Sequence, residues 1–198
     1  MREVKTSLIK SNAGYSEVTT EGMLSSKRFL FLEGKIDSEM AMTFTKQFLD
    51  LSLKDRTAPI NVIINSSGGE INAGQLIIDV LSDSETPVNL FCFEKAYSMA
   101  AVIFISSGCN RFMLPNSSLM IHQPSITDIS GNCSEIHRIS KELDKYKDKM
   151  YQLIANHSDF SIQELKEKTL EDLYLNAEES VERHLADEVT TFSKMVAF

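Results

Sequence analysis

Ser98 stands in Ala96-Tyr97-Ser98-Met99-Ala100, after an apolar stretch and at the head of a run of small residues. A serine on a strand-to-helix turn presents its hydroxyl, and the backbone N–H that follows can face a developing oxyanion. The position equally suits an N-cap serine, and the local sequence does not separate the two. His122 ends the apolar run Leu119-Met120-Ile121 and is followed by Gln123-Pro124, which stops a strand and turns the chain. From there an imidazole can take a proton from a hydroxyl on a neighbouring strand at neutral pH, although a structural histidine is the plainer alternative. Asp172, in Leu170-Glu171-Asp172-Leu173-Tyr174-Leu175, can orient an imidazole and stabilise its charged form. Gly68-Gly69 closes the turn Asn65-Ser66-Ser67-Gly68-Gly69, where paired glycines can expose backbone N–H groups toward an oxyanion or a phosphate, or simply make a turn. His137 falls on the charged face of a helical segment, His157 in a polar turn and His184 near the end of a late helix. Residue types alone allow serine acyl transfer without joining these groups into one site.

The elements that must position them read as alternating strands and helices. Phe29-Leu30-Phe31-Leu32 predicts a buried strand, and Asp37 to Leu53 a helix with Met40, Phe44, Phe48 and Leu51 three or four apart. Ile60 to Ile64 predicts a strand ending in the Gly-Gly turn, and Ala73 to Leu81 the helix after it. Val88 to Phe93 is the next strand, Tyr97 to Ser106 a small-residue helix, and Phe112–Leu114 and Leu119–Ile121 two short strands around a Pro-Asn turn. Such alternation implies an α/β fold with a largely parallel sheet. Ser161-x-x-Glu164 and Asn176-x-x-Glu179 announce two short helices that leave Asp172 between them, and Leu185 to Phe192 supplies a last strand.

Asn132 and Glu135 mark the start of a helix over about 132–156. Along it Ile136, Ile139, Leu143, Tyr146, Met150 and Leu153 recur at heptad steps, while charged residues fill the other faces. So narrow a stripe predicts a projecting helix that meets one partner seam; a helix lying on its own domain's core is the alternative.

The 198 residues suffice for a single domain over 28–198, preceded by a polar segment, 1–27, that lacks a sustained period and reads as a mobile arm. With 42% hydrophobic and 24% charged residues, the composition is that of a folded protein. A net charge of −8 without clustered Lys or Arg argues against nucleic acid as the main partner. Cys92, Cys109 and Cys133 are odd in number and lack metal-ligand spacing, which predicts reduced thiols and no metal site. The N-terminus has no signal-like apolar stretch, and the most apolar run, Val88 to Ser107, is broken by Glu94 and Lys95. The expected location is the cytoplasm, with no membrane contact.

Three segments carry a resemblance to the ClpP family of serine peptidases, which extends over about 165 residues from Arg28 to roughly Phe192. Asn65-Ser-Ser-Gly-Gly resembles the family's Asn-Ser-Pro-Gly-Gly, and Ala96-Tyr-Ser-Met-Ala its Ala-Ala-Ser-Met-Gly. Leu114-Pro-Asn-Ser-Ser-Leu-Met-Ile-His-Gln-Pro is similar to its Leu-Pro-Asn-x-x-x-Met-Ile-His-Gln-Pro. The resemblance implies Ser98 as nucleophile, His122 as base and Asp172 as acid, with the N–H groups of Gly69 and Met99 as oxyanion hole. It implies that Ser125 and Ile126, just after His122, pair with an extended peptide. It also implies repeated ββα units of the ClpP/crotonase type, a handle helix at 132–156, and a homo-oligomer of two stacked heptameric rings. The expected activity is peptide or unfolded-polypeptide hydrolysis in a chamber fed by a Clp-type AAA+ ATPase, which would use the ATP; this chain itself needs no cofactor.

The sequence departs from that family at several places. Leu170-Glu171 replaces the Asp-Arg pair that couples ring contacts to site alignment, Ser67 replaces a proline, and Glu94-Lys95 stands where small residues are usual. The spacing from Ser98 to His122 is about one residue shorter, and no Tyr-Ser-Arg-Leu-Leu-type segment precedes Arg28. The departures at 94–95 and 170–171 motivate a second reading, a structural paralogue in a mixed ring with a sister subunit. A specialised phage-type peptidase would share the same fold and chemistry. Acyl-CoA chemistry on the related crotonase fold is a third reading, against which the intact Ser, His and Asp argue.

Overall fold

The computed structural model describes residues 6–11, 14–126 and 130–196. Strands β1 (Thr6–Ser11) and β2 (Gly14–Thr19) pair antiparallel, and helix α1 (Thr20–Ser26) follows, with the Thr19 side chain accepting from the Gly22 N–H. Regular structure therefore occupies residues 6–11 and 14–26, where the sequence predicts a mobile arm; residues 1–5 and 12–13 of that arm lie outside the described residues. The reason is physical: a two-stranded ladder is held by backbone hydrogen bonds and can form without the apolar period that marks a half-buried strand.

The sheet that carries the site begins with β3 (Phe29–Ile36). Helix α2 (Ser38–Lys54) follows it, capped by Asp37 and burying Ala41, Phe44, Phe48 and Leu51. Next come β4 (Ile60–Gly69), α3 (Ile71–Ser82), β5 (Val88–Tyr97) and α4 (Met99–Ser106). After them come β6 (Asn110–Met113), β7 (Ser118–Ile121), α5 (Cys133–Ala155), α6 (Ile162–Lys168), β8 (Leu173–Asn176), α7 (Ala177–Glu182), β9 (Glu188–Val189) and α8 (Phe192–Met195). The strand order is β3-β4-β5-β6-β9, all parallel. β7 joins the C-terminal end of β5 in parallel, and β8 adds antiparallel to β7. The fold is mixed α/β with a mostly parallel sheet, as the alternation of elements predicts.

Every residue of α4 is buried. A helix apolar on all sides belongs at the centre, and α4 fills that place against the sheet and α3, with Ser98 at its head. The main core gathers Leu30, Leu32, Val62, Ile64, Leu90, Ile103 and Phe104 around it. A smaller aromatic cluster of Phe91, Ile63 and Met195, with Phe29, Phe93 and Phe112, packs separately.

Helix α5 starts on a capping box between Asn132 and Glu135. Its only buried residues are Tyr151 and Ile154. Of the preceding 18 residues, five turns, none is fully buried, and Met150 at their end packs half-buried against the main core. Its heptad stripe is half-buried from Ile139 onward, and Ile136 is exposed. At the anchored end Tyr151 shares a buried hydrogen bond of 2.7 Å with Thr169, whose hydroxyl donates to the Leu165 carbonyl.

Three boundaries differ from the sequence reading. β4 and β5 run on through the Gly-Gly turn and to Tyr97, so the residues read as turn and helix start are still in the sheet. The segment after Asp172 is a strand, because Leu173 and Leu175 alternate with polar neighbours and find β7 as a partner. The expected last strand contracts to two residues and gives way to α8, whose N-cap Thr191 accepts from the Lys194 N–H. Among the described residues, no helix is long and apolar enough to cross a membrane.

Candidate active site

Four strand ends converge on Ser98. At the end of β4, Ser66 Oγ donates to the Gly34 carbonyl at 2.5 Å and accepts from the Gly68 N–H at 3.0 Å, so the turn is tied down from within. Gly68 has φ +90. A Cβ there would lie 2.6 Å from the Tyr97 carbonyl oxygen, 2.8 Å from Ser98 Cβ and 2.9 Å from Met99 N. At Gly69 a Cβ would collide with the Ile36 carbonyl oxygen. The two glycines let β4 pass flush between the end of β3 and the turn that bears Ser98.

Ser98 itself has φ 54 and ψ −125, a strained conformation for a residue with a side chain. Its N–H donates to the Met120 carbonyl at 2.8 Å and its carbonyl accepts from the Val102 N–H at 3.2 Å. Its side chain makes no cap bond to α4. Instead Ser98 Oγ lies 2.7 Å from His122 Nε2. The hydroxyl is thus aimed at the imidazole and not at the helix. With Nδ1 protonated, Nε2 accepts the hydroxyl proton.

His122 follows the last residue of β7, and Asp172 precedes the first of β8. The register pairs Ile121 with Leu173, which sets His122 and Asp172 opposite one another one step further on. His122 Nδ1 and Asp172 Oδ1 are 3.9 Å apart. That is ion-pair range and longer than a hydrogen bond. The Asp172 side chain is 51% exposed, against 27% for His122. Both Leu170 and Glu171 before it face solvent, Leu170 at 76% exposure. Asp172 thus sits just beyond a four-residue strand and outside its ladder, with a solvated approach on one side.

Met99 opens α4, so its N–H has no acceptor within the helix and lies at the positive end of the helix dipole. Gly69 and Met99 line one cleft of about 300 Å³ together with Ser98 and His122. The cleft is largely apolar, with Ile71, Ile78, Val102, Met120, Met150 and Leu153 in its walls. Ser125 also lines it, whereas Ile126 is 43% exposed and residues 127–129 lie outside the described residues. The sequence reading missed the share of α5 in this cleft: Tyr146, Lys149, Met150 and Leu153 all reach it, and Tyr146 Oη donates to Asn72 Oδ1 at 3.3 Å. The signal was the heptad stripe, whose lower half serves the cleft as well as any seam.

The unusual Glu94 and Lys95 answer one another. Asn65 Nδ2 donates to Glu94 at 3.1 Å and Lys95 lies 3.4 Å away, and these two contacts, the Asn65 bond foremost, hold the Glu94 carboxyl below its usual range. Burial pushes the Cys92 thiol up to about 12 and raises Cys109 as well, so neither competes as a nucleophile. Among the described residues, no group of three or more His, Cys, Asp or Glu is placed to hold a metal ion.

A parallel sheet that delivers a strained serine to an imidazole beside an apolar cleft has the makings of a serine hydrolase. Residues 12–193, most of the chain, match the Clp protease family. The chain belongs to that family and is a ClpP-like peptidase.

Proposed function

We propose that the chain is a serine endopeptidase subunit working through Ser98, His122 and Asp172. The observation that carries this reading is the 2.7 Å approach of Ser98 Oγ to His122 Nε2 from a backbone held at φ 54. Ser98 Oγ attacks the scissile carbonyl carbon while its proton passes to His122 Nε2. The oxyanion of the tetrahedral adduct is held by the N–H groups of Gly69 and Met99. Collapse breaks the C–N bond, His122 protonates the leaving amine, and water then hydrolyses the acyl-serine by the same proton path in reverse. Asp172 closes the 3.9 Å gap to hydrogen-bond length as the imidazole charges, which its exposed, strand-end position permits.

The substrate is an extended peptide lying along Pro124 to Ile126, with the side chain before the scissile bond in the apolar cleft. Clp-family peptidases generally assemble as oligomeric rings. For this chain we infer two stacked heptameric rings, with α5 at the seam and a cytoplasmic AAA+ partner to deliver unfolded chains.

A second reading is favoured by the wide and solvated gap at Asp172: a structural subunit in a mixed ring whose sister does the cutting. Turnover of a fluorogenic peptide with leucine before the scissile bond separates the two. The first reading expects turnover by the purified chain that is abolished in Ser98→Ala. Turnover that appears only on co-assembly with a sister subunit, and is indifferent to Ser98→Ala, supports the second.

A further inference from the structure

The site as described leaves one question of geometry: what holds Asp172, a half-exposed residue beyond the end of a short strand, within reach of His122. Side chains at alternate positions of a strand share a face, so Asp172 and Tyr174 lie on one face of the β8 segment, and Ser118, Met120 and His122 on one face of β7. The register pairs Tyr97 with Met120 and Met120 with Tyr174, forming a cross-strand row over β5, β7 and β8. Across that row the rings of Tyr97 and Tyr174 meet edge to face, with centroids 5.6 Å apart and planes at 86°. Tyr97 is anchored in turn, its hydroxyl 2.9 Å from Ser118 Oγ on β7.

Tyr97 immediately precedes the nucleophile, and Tyr174 lies two residues beyond the acid. Among the described residues β8 has β7 as its sole partner strand in the sheet, so the aromatic contact is a second link between the acid's strand and the nucleophile's. Tyr174 has no reason of burial to be aromatic, because it is 57% exposed. Its edge-to-face contact accounts for it.

We propose that Tyr97 and Tyr174 are positioning residues, a ring-on-ring clamp that sets the distance from Asp172 to His122 and so tunes the base that activates Ser98. The inference rests on the peptidase reading given above. Neither ring touches the reacting atoms; both act through the placement of Asp172. Without the clamp, β8 keeps its ladder with β7 and the core packing of Leu173 and Leu175 but loses its ring contact with β5, and the acid spends more time beyond reach of the imidazole.

The test is peptide turnover with each rate referred to the number of Ser98 sites titrated by the acylation burst, so that misfolded protein does not count. Tyr174→Ala and Tyr97→Ala should each lower kcat per titrated site about tenfold, the upper end for an aromatic pair, with KM within about twofold of the parent. Tyr174→Phe, which keeps the ring, should restore kcat. The double alanine variant should lose little more than either single one, as coupled residues do. Parent-like kcat per site in Tyr174→Ala, failure of Tyr174→Phe to restore it, or additive losses in the double variant would each overturn the clamp. A parent protein with no burst at Ser98 would instead overturn the peptidase reading and the clamp together, so the two failures are told apart.

Discussion

Gly68→Ala should damage the protein twice, once in stability and once at Ser98, the proposed nucleophile, and the structure supplies its own control. Gly68 has φ +90 and Gly34 has φ +85, so an alanine at either position takes on left-handed strain of about 1–2 kcal/mol. Around Gly34 nothing lies within 4 Å of the added Cβ. At Gly68 the same atom falls 2.6 Å from the Tyr97 carbonyl oxygen, 2.8 Å from Ser98 Cβ and 2.9 Å from Met99 N. All three belong to the backbone or its first side-chain atom, so no flexible side chain can move aside. Overpacking of this kind adds about 1–3 kcal/mol. Gly34→Ala should lower the thermal midpoint by about 4 °C and Gly68→Ala by roughly 10 °C. The second effect is specific to Gly68: the displaced atoms carry Ser98 and the Met99 N–H, so acylation by an active-site-directed phosphonate should slow in Gly68→Ala and stay at the parent rate in Gly34→Ala. Thermal melts and labelling time courses on the three proteins read both effects. Equal melting and equal labelling of the two alanine variants would refute the claim that Gly68 is kept free of a side chain by the serine turn.

Other consequences are separately measurable. Asp172→Asn should lower kcat by about 10²–10⁴ if the 3.9 Å gap closes during turnover; a loss below about tenfold would mean that it stays open. The Glu164 carboxyl is held at about 2, first by the Ser161 N–H and hydroxyl and then by Arg183. Its folded value lies below its ordinary 4.5, so the stability it contributes is present above 4.5 and lost as pH falls toward 2. Acid unfolding of Glu164→Gln should therefore be less steep in that window, and superimposable curves would count against the contact. Alkylation mapped by mass should modify exposed Cys133 first, half-buried Cys109 slowly, and Cys92, whose thiol is pushed up to about 12, only after unfolding. Early labelling of Cys92 would contradict its burial.

The parts of the fold visible in the sequence are those where burial imposes a period. Phe44, Phe48 and Leu51 marked α2, and the small-residue run from Tyr97 to Ser106 marked α4 as a helix, though not its full burial. Capping boxes placed the starts of α5, α6 and α7 at Asn132, Ser161 and Asn176. The hairpin ahead of Arg28 was hidden because backbone pairing between two short strands leaves no such mark. β8 was hidden because four residues flanked by helix signals carry too little alternation to be read alone; only the neighbouring β7 makes them a strand. At the site, motif context singled out Ser98 and His122, whose side chains the structure brings together. The strained φ of Ser98, the collision that forbids a side chain at Gly68, and the meeting of Tyr97 with Tyr174 depend on contacts between distant segments. The position of Asp172 is of the same kind, since it follows from the pairing of β7 with β8 and from nothing in the residues around it.

The most direct test of the central claim is the site of covalent capture. The assembled protein, treated with a fluorophosphonate and digested, should yield one modified peptide carrying the adduct on Ser98. The adduct should disappear in Ser98→Ala and form far more slowly in His122→Ala, because the proposed mechanism activates this hydroxyl through its 2.7 Å contact with His122. An unmodified Ser98 in assembled protein, or labelling indifferent to His122, would contradict the account.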